Sequence, residues 1–194
     1  MGKQFHRLIL AINVDRVITS EEIQMIRLQG LAIGLAHQQI ETVFDEMKNK
    51  SAANYHGVAE MHRVDFVVEL EENIVFVEVK DPGSPKAREE GLQKFYDELK
   101  DGTLAETFVS KYTESFLYRW AEDKLDKPVH YLSLVTLDEE LLGNLTDGIV
   151  CKMPPMNKSV PRWKKRFVNN CQVFNIDSWN ENFPKWPVKR VEAV

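Results

Sequence analysis

The chain has only two cysteines, Cys151 and Cys171, set well apart in its 194 residues. Two isolated thiols cannot build a disulfide framework, and their separation does not suit a zinc site, so a reduced, cytoplasmic protein is expected. No run approaches the roughly 18 apolar residues of a membrane span, and the N-terminus shows no signal-peptide pattern, so no membrane partner is expected. The nine glycines form no phosphate-cradling loop, which argues against nucleoside triphosphate chemistry. Serine and cysteine lack a Gly-x-Ser-x-Gly elbow or another local nucleophile signature. His6, His37, His56 and His130 fall in no metal or nucleophile spacing, and His62, three residues before Asp65, has no paired histidine.

What is present is the composition of an ordinary globular chain, 43% hydrophobic and 28% charged, long enough for one α/β domain. The net charge of −5 is unevenly spread. Residues 151–194 carry nine Lys/Arg against three Asp/Glu, a net +6, which leaves −11 on residues 1–150. Within this region Lys152, Lys158, Arg162, Lys164, Lys165 and Arg166 are interleaved with Trp163, Phe167 and prolines, with no acid before Asn170. A basic, aromatic, loop-like segment of this kind suits contact with phosphates and stacking on bases. The expected organisation is an α/β core over 1–150 and a basic C-terminal extension over 151–194 packed on the same domain.

Local signals place the elements. Phe5 to Ile12 reads as a short strand or extended arm. A capping box from Thr19 to Glu22 opens a long helix to about Lys48, and Gly57 to Met61 suits a short strand. Ser84 as cap and Pro85 at the first helical position predict a helix to about Lys100, and a second capping box, Thr103 to Glu106, predicts one to about Lys124. Phe116, Tyr118 and Trp120 on that helix are expected in the core. His130 to Leu137 reads as a strand, Asp138 to about Leu145 as a helix, Cys171 to Ile176 as a late strand, and Asp177 as the cap of a short helix anchored by Trp179. Together these predict a central mixed sheet flanked by helices.

The most informative stretch is a predicted hairpin from Val64 to Lys80. Glu-x-Lys occurs four times in the chain, but three copies (Glu46, Glu98 and Glu122) fall in predicted helices, where residues two apart do not share a face. On a strand they do, so Glu78 and Lys80 emerge together. Period-two reading puts Phe66, Val68 and Leu70 on one face of the first strand and Asp65, Val67 and Glu69 on the other. Val75, Val77 and Val79 likewise oppose Phe76, Glu78 and Lys80 on the second. A turn of two or four residues around Glu71-Glu72-Asn73 brings the acid-bearing faces together, and a three-residue loop without a bulge separates them. With four, Asp65 lies directly opposite Glu78, at roughly 4.5–5.5 Å between Cβ atoms. Facing carboxylates repel unless a cation joins them, and Mg²⁺ or Mn²⁺ favours such oxygens. Lys80 would then act on a metal-bound water or on developing phosphate charge. The plain alternative is a solvated face whose charges discourage edge pairing.

The order helix, strand, Asp-bearing strand, Glu-x-Lys strand, helix, strand resembles the PD-(D/E)XK nuclease superfamily. The matching signature is Asp65, twelve intervening residues, then Glu78-Val79-Lys80, with Val64 where the pattern has proline. The resemblance spans roughly Thr19 to Leu137. It implies a restriction-endonuclease-like core, hydrolysis of DNA phosphodiesters with RNA as the other candidate substrate, and Mg²⁺ or Mn²⁺ held by Asp65, Glu78 and the Val79 carbonyl. Lys80 would act on the attacking water. It also suggests Glu41 on the first helix, with Glu46 as a rival, and Gln93 on the helix after the lysine. A two-fold homodimer would place two such sites on opposite strands. The competing expectation is a non-catalytic member of the same fold that binds nucleic acid or protein, marked by salt bridges that tie up the triad. A third is an acidic interaction protein with no nucleic-acid role.

Overall fold

Alternation of large apolar residues with charged ones over 64–80 yields the expected hairpin in the computed structural model, which describes residues 7–9, 61–83, 88–154, 163–184 and 186–189. Its strands are β2 (Phe66–Glu69) and β3 (Ile74–Lys80), antiparallel, with Phe66 against Val77 and Glu69 against Ile74. Four residues lie between the paired ends, and the Leu70 N–H donates to the Asn73 carbonyl at 2.9 Å. The edge next to β2 is filled by β1 (Arg7–Ile9), also antiparallel, with Leu8 opposite Val68. The N-terminal arm thus supplies this strand. The second candidate, Gly57 to Met61, lies outside the described residues except for Met61, which precedes β2 in irregular backbone.

Beyond β3 the sheet continues in parallel through β4 (Val129–Val135) and β5 (Asn170–Phe174), giving the order β1-β2-β3-β4-β5. A parallel neighbour requires a crossover, here provided by α1 (Glu89–Asp101) and α2 (Thr103–Ala121). The second crossover contains α3 (Glu139–Lys152), and α4 (Ile176–Asn182) follows β5. The protein is therefore α/β, a mixed sheet flanked by helices. Among the described residues no helix is long and apolar enough to cross a membrane.

The sheet has a core on each face. On one, Val67, Ile74, Phe76, Val129, Tyr131 and Val135 meet Phe108 and Tyr112 of α2 and Leu145 and Ile149 of α3. On the other, Val75, Val77, Leu132, Leu134 and Phe174 meet Trp179 of α4, as expected for that tryptophan. Cys151 and Cys171 are both free thiols. Burial pushes the Cys171 thiol up to about 12, so it packs as an apolar group.

Several element ends differ from expectation. Helix α1 begins at Glu89, after an extended Arg88, rather than at Pro85; Ser84 and Pro85 lie outside the described residues. Thr103 does not cap α2 from outside. It is the first helical residue, and its N–H and hydroxyl both donate to the Asp101 carboxylate, at 2.9 and 2.6 Å. Helix α3 runs seven residues past Leu145, and the interior glycines Gly143 and Gly148 explain why its helical signal looked short. Gly148 is where α3 closes on α2: a Cβ there would lie 3.3 Å from the Ala105 Cβ. Asn175, not Asp177, caps α4, through a reciprocal pair of bonds with Ser178. Trp120 is 64% exposed and not in the core.

Gly102 joins α1 to α2 with φ of +84°, the left-handed conformation at a helix C-terminus. Nothing lies within 4 Å of where its Cβ would be, so only backbone strain opposes a larger residue. Gly102→Ala is expected to lower unfolding free energy by about 1 kcal/mol, read as a lower urea midpoint with unchanged slope.

Candidate active site

The hairpin register fixes the central contact. One step beyond Phe66 opposite Val77 sets Asp65 opposite Glu78, the arrangement expected for a four-residue connection. Strand β2 starts only at Phe66, so the next amide of β3 has lost its ladder partner. The Asp65 carboxylate takes that role: the Val79 N–H donates to its Oδ2 at 2.7 Å. The Val79 carbonyl shares this edge of β3, because a strand residue directs its N–H and C=O to the same side. On the other side of β3, Glu78 is level with Ser133 of β4, which is also buried.

Glu78 is fully buried. Its Oε1 lies 2.6 Å from the ammonium of Lys111 and 3.5 Å from that of Lys80. Its Oε2 is buried without a hydrogen-bond partner among the described residues. Lys111, in the middle of α2, is itself buried, and its Nζ also lies 3.9 Å from Asp65 Oδ1. Lys80 differs: at the end of β3 its side chain is about one-third exposed and reaches solvent. Burial, followed by the Asp65 charge, pushes the Glu78 carboxyl up to about 7 against the opposing pull of Lys111 and Lys80. An acid poised near neutrality beside two ammonium groups is a typical functional-site signature.

Lys111 is the residue that sequence reasoning missed. It belongs to a stripe of α2, Leu104, Phe108, Lys111, Ser115 and Arg119, spaced by three or four residues and buried throughout. The Ser115 hydroxyl accepts the Val64 N–H at 2.9 Å. Arg119 pairs with Glu69 of β2 and, at 2.9 Å, with Glu122. Beside the stripe, His62 bonds Glu114 at 3.0 Å. The polar half of α2 therefore meets the acid-bearing face of the hairpin residue by residue. The available signal was a lysine at a core-facing helical position.

The other expected site residues that are described stand outside this cluster. Glu41, its rival Glu46, Lys158 and Arg162 lie outside the described residues. Gln93 stands on the exposed face of α1, where its amide donates to Asp97 at 3.0 Å. Lys152 pairs with Glu106 at 2.7 Å. Lys164, Lys165 and Arg166 are exposed on the segment leading into β5, and Lys165 donates to the Leu125 carbonyl at 3.0 Å. Phe167 ties this segment to the core through Tyr112 and Phe116. The Asn169 N–H donates to the Val129 carbonyl at 2.7 Å, and Val129 is level with Ile74. Glu78 is four residues further along β3, roughly 13 Å. The basic segment thus borders the opposite end of the strands from Lys80.

Two carboxylates converge here, and the Val79 carbonyl would add a main-chain oxygen from the same edge of β3. Among the described residues no three His, Cys, Asp or Glu side chains group as metal ligands. An all-oxygen set whose buried Oε2 has no partner among the described residues fits Mg²⁺ or Mn²⁺ rather than zinc, although Lys111 lies against Glu78 Oε1 and Asp65 Oδ1. Comparisons with protein-family models, curated proteins and solved structures found no match.

Proposed function

We propose that the protein is a divalent-metal-dependent nuclease with a restriction-endonuclease-like core, hydrolysing DNA phosphodiester bonds. The observation that carries this reading is the alignment of Asp65 and Glu78 across β2 and β3, with the solvent-reaching Lys80 two residues beyond Glu78. In this reading Asp65, Glu78 and the Val79 carbonyl hold Mg²⁺ or Mn²⁺, which when bound would polarise the scissile phosphate and the attacking water. Lys80, anchored at one side by Glu78 and open to solvent at the other, orients that water and offsets charge on the phosphate. The α2 stripe buries Glu78, which strengthens its interactions with the neighbouring charges. Lys164, Lys165 and Arg166 would hold backbone phosphates away from the cut, toward the opposite end of the strands.

A second reading is favoured by one observation. The 2.6 Å pair between Lys111 and Glu78 satisfies part of the cluster internally, as in a non-catalytic member of such a fold that binds nucleic acid or protein. Cleavage of plasmid, single-stranded DNA and RNA with Mg²⁺ or Mn²⁺ separates the two. Wild type is expected to cut DNA, and Asp65→Ala and Lys80→Ala to abolish cutting while retaining salt-sensitive binding. Binding without cutting in all three proteins would transfer the assignment to the binding module.

A further inference from the structure

Lys111 occupies the position that a shared cation would take. Its ammonium lies between the facing oxygens, 2.6 Å from Glu78 Oε1 and 3.9 Å from Asp65 Oδ1, and it is buried with Glu78, whereas Asp65 is partly exposed. Charge counting shows the consequence. Two carboxylates meet two ammonium groups, Lys111 and Lys80, so the cluster is neutral when every group is ionised. A divalent ion added to that arrangement would meet no net negative charge to offset its loss of hydration. It would also compete for Oε1, whose hydrogen bond to Lys111 is charge-assisted.

We propose, resting on the nuclease reading above, that Lys111 is an internal counter-ion that a divalent metal must displace, and that it thereby sets the metal affinity of the Asp65–Glu78 site. The lysine has the means to move: four rotatable carbon–carbon bonds separate its ammonium from the helix. Glu78 Oε2, buried and without a hydrogen-bond partner among the described residues, is the oxygen from which exchange can begin. Lys111 is a positioning residue here. It holds both carboxylates in register without metal and withdraws from them when metal arrives. Lys80, one-third exposed and 3.5 Å from Oε1, is the weaker competitor.

The test is Mn²⁺ binding to the full chain, by titration calorimetry and by the electron paramagnetic resonance signal of free Mn²⁺, with no nucleic acid present. Lys111→Met is expected to tighten binding by about ten- to a hundredfold, the equivalent of one charge-assisted hydrogen bond no longer competing. Asp65→Asn in the same background should abolish the gain, which places the ion at this site. Lys111→Arg keeps a permanent charge with more donors and is expected to bind Mn²⁺ more weakly than wild type. It therefore tests the idea even if Lys111→Met does not fold. Equal affinity in wild type and the Lys111 variants would overturn the inference and leave the nuclease reading standing. No Mn²⁺ binding to any folded variant would overturn both.

Discussion

At pH 8, Lys111→Met is expected to lower the unfolding free energy by about 3–5 kcal/mol, the usual cost of removing one partner from a buried ion pair. The size follows from burial on both sides. Glu78 is inaccessible to solvent, Lys111 nearly so, and their contact is 2.6 Å. Without Lys111 the Glu78 carboxylate keeps, among the described residues, only Lys80, at 3.5 Å, and faces Asp65 across the hairpin. Methionine fills much of the lysine stem's volume, so little of the loss comes from a cavity. The double variant Lys111→Met/Glu78→Met should recover most of the stability, because an apolar pair of similar volume replaces a buried ionic pair at little cost. At pH 5 the single variant should lose much less, since Glu78 then carries a proton with or without its partner. Urea denaturation of the three proteins reads all of this. A loss under about 1 kcal/mol at pH 8 would place the pair in the class of solvated surface bridges and remove it as an organiser of the site.

The extent to which this site was legible in the sequence depends on which interaction fixes each residue. Face assignment in β2 and β3 follows from period-two alternation alone, and Phe66, Val68, Val75 and Val77 face the core opposite to that of Val67 and Phe76, as expected. Register was less accessible. Glu71-Glu72-Asn73 lacks the Asn-Gly or Asp-Gly signal that fixes a hairpin loop, so two and four residues remained open, and pairing of Glu69 with Ile74 decides it. Strand β1 was visible as an apolar arm, but its place beside β2 was not, because that pairing spans more than fifty residues of chain.

Lys111 shows the main limit. A lysine within a helix reads as solvated by default, and only its alignment with Leu104, Phe108 and Ser115 marks it as inward-facing. Its partners are thirty to fifty residues away, so tertiary contact gives it meaning. The basic segment shows the reverse. Its composition was conspicuous, but composition does not say which end of the sheet it borders, and the Asn169–Val129 bond puts it at the end away from Lys80. Trp120 fails for a third reason: on α2 the inward positions are taken by Phe108, Tyr112, Ser115 and Arg119, which rotates Trp120 toward solvent.

The pH dependence of stability decides whether burial or the lysines govern Glu78. Burial alone favours the neutral acid, and the lysines favour the anion. The balance places the carboxyl at about 7 in the folded protein, against an ordinary value of 4.5. A folded-state value above the unfolded one means that the native protein holds the extra proton between those limits. By linkage, unfolding free energy then declines as pH rises through that window, with a slope of up to about 1.4 kcal/mol per pH unit. Across the whole window Glu78 should account for roughly 3 kcal/mol of lost stability, complete above pH 7 and absent below about 4.5. Glu78→Gln cannot titrate, so subtracting its urea-denaturation profile from that of wild type between pH 4.5 and 8 isolates this contribution. A difference that falls with rising pH confirms that desolvation outweighs the ion pair. A flat or rising difference would mean that Lys111 and Lys80 keep Glu78 ionised throughout, so that the site meets an incoming cation with both carboxylates already charged.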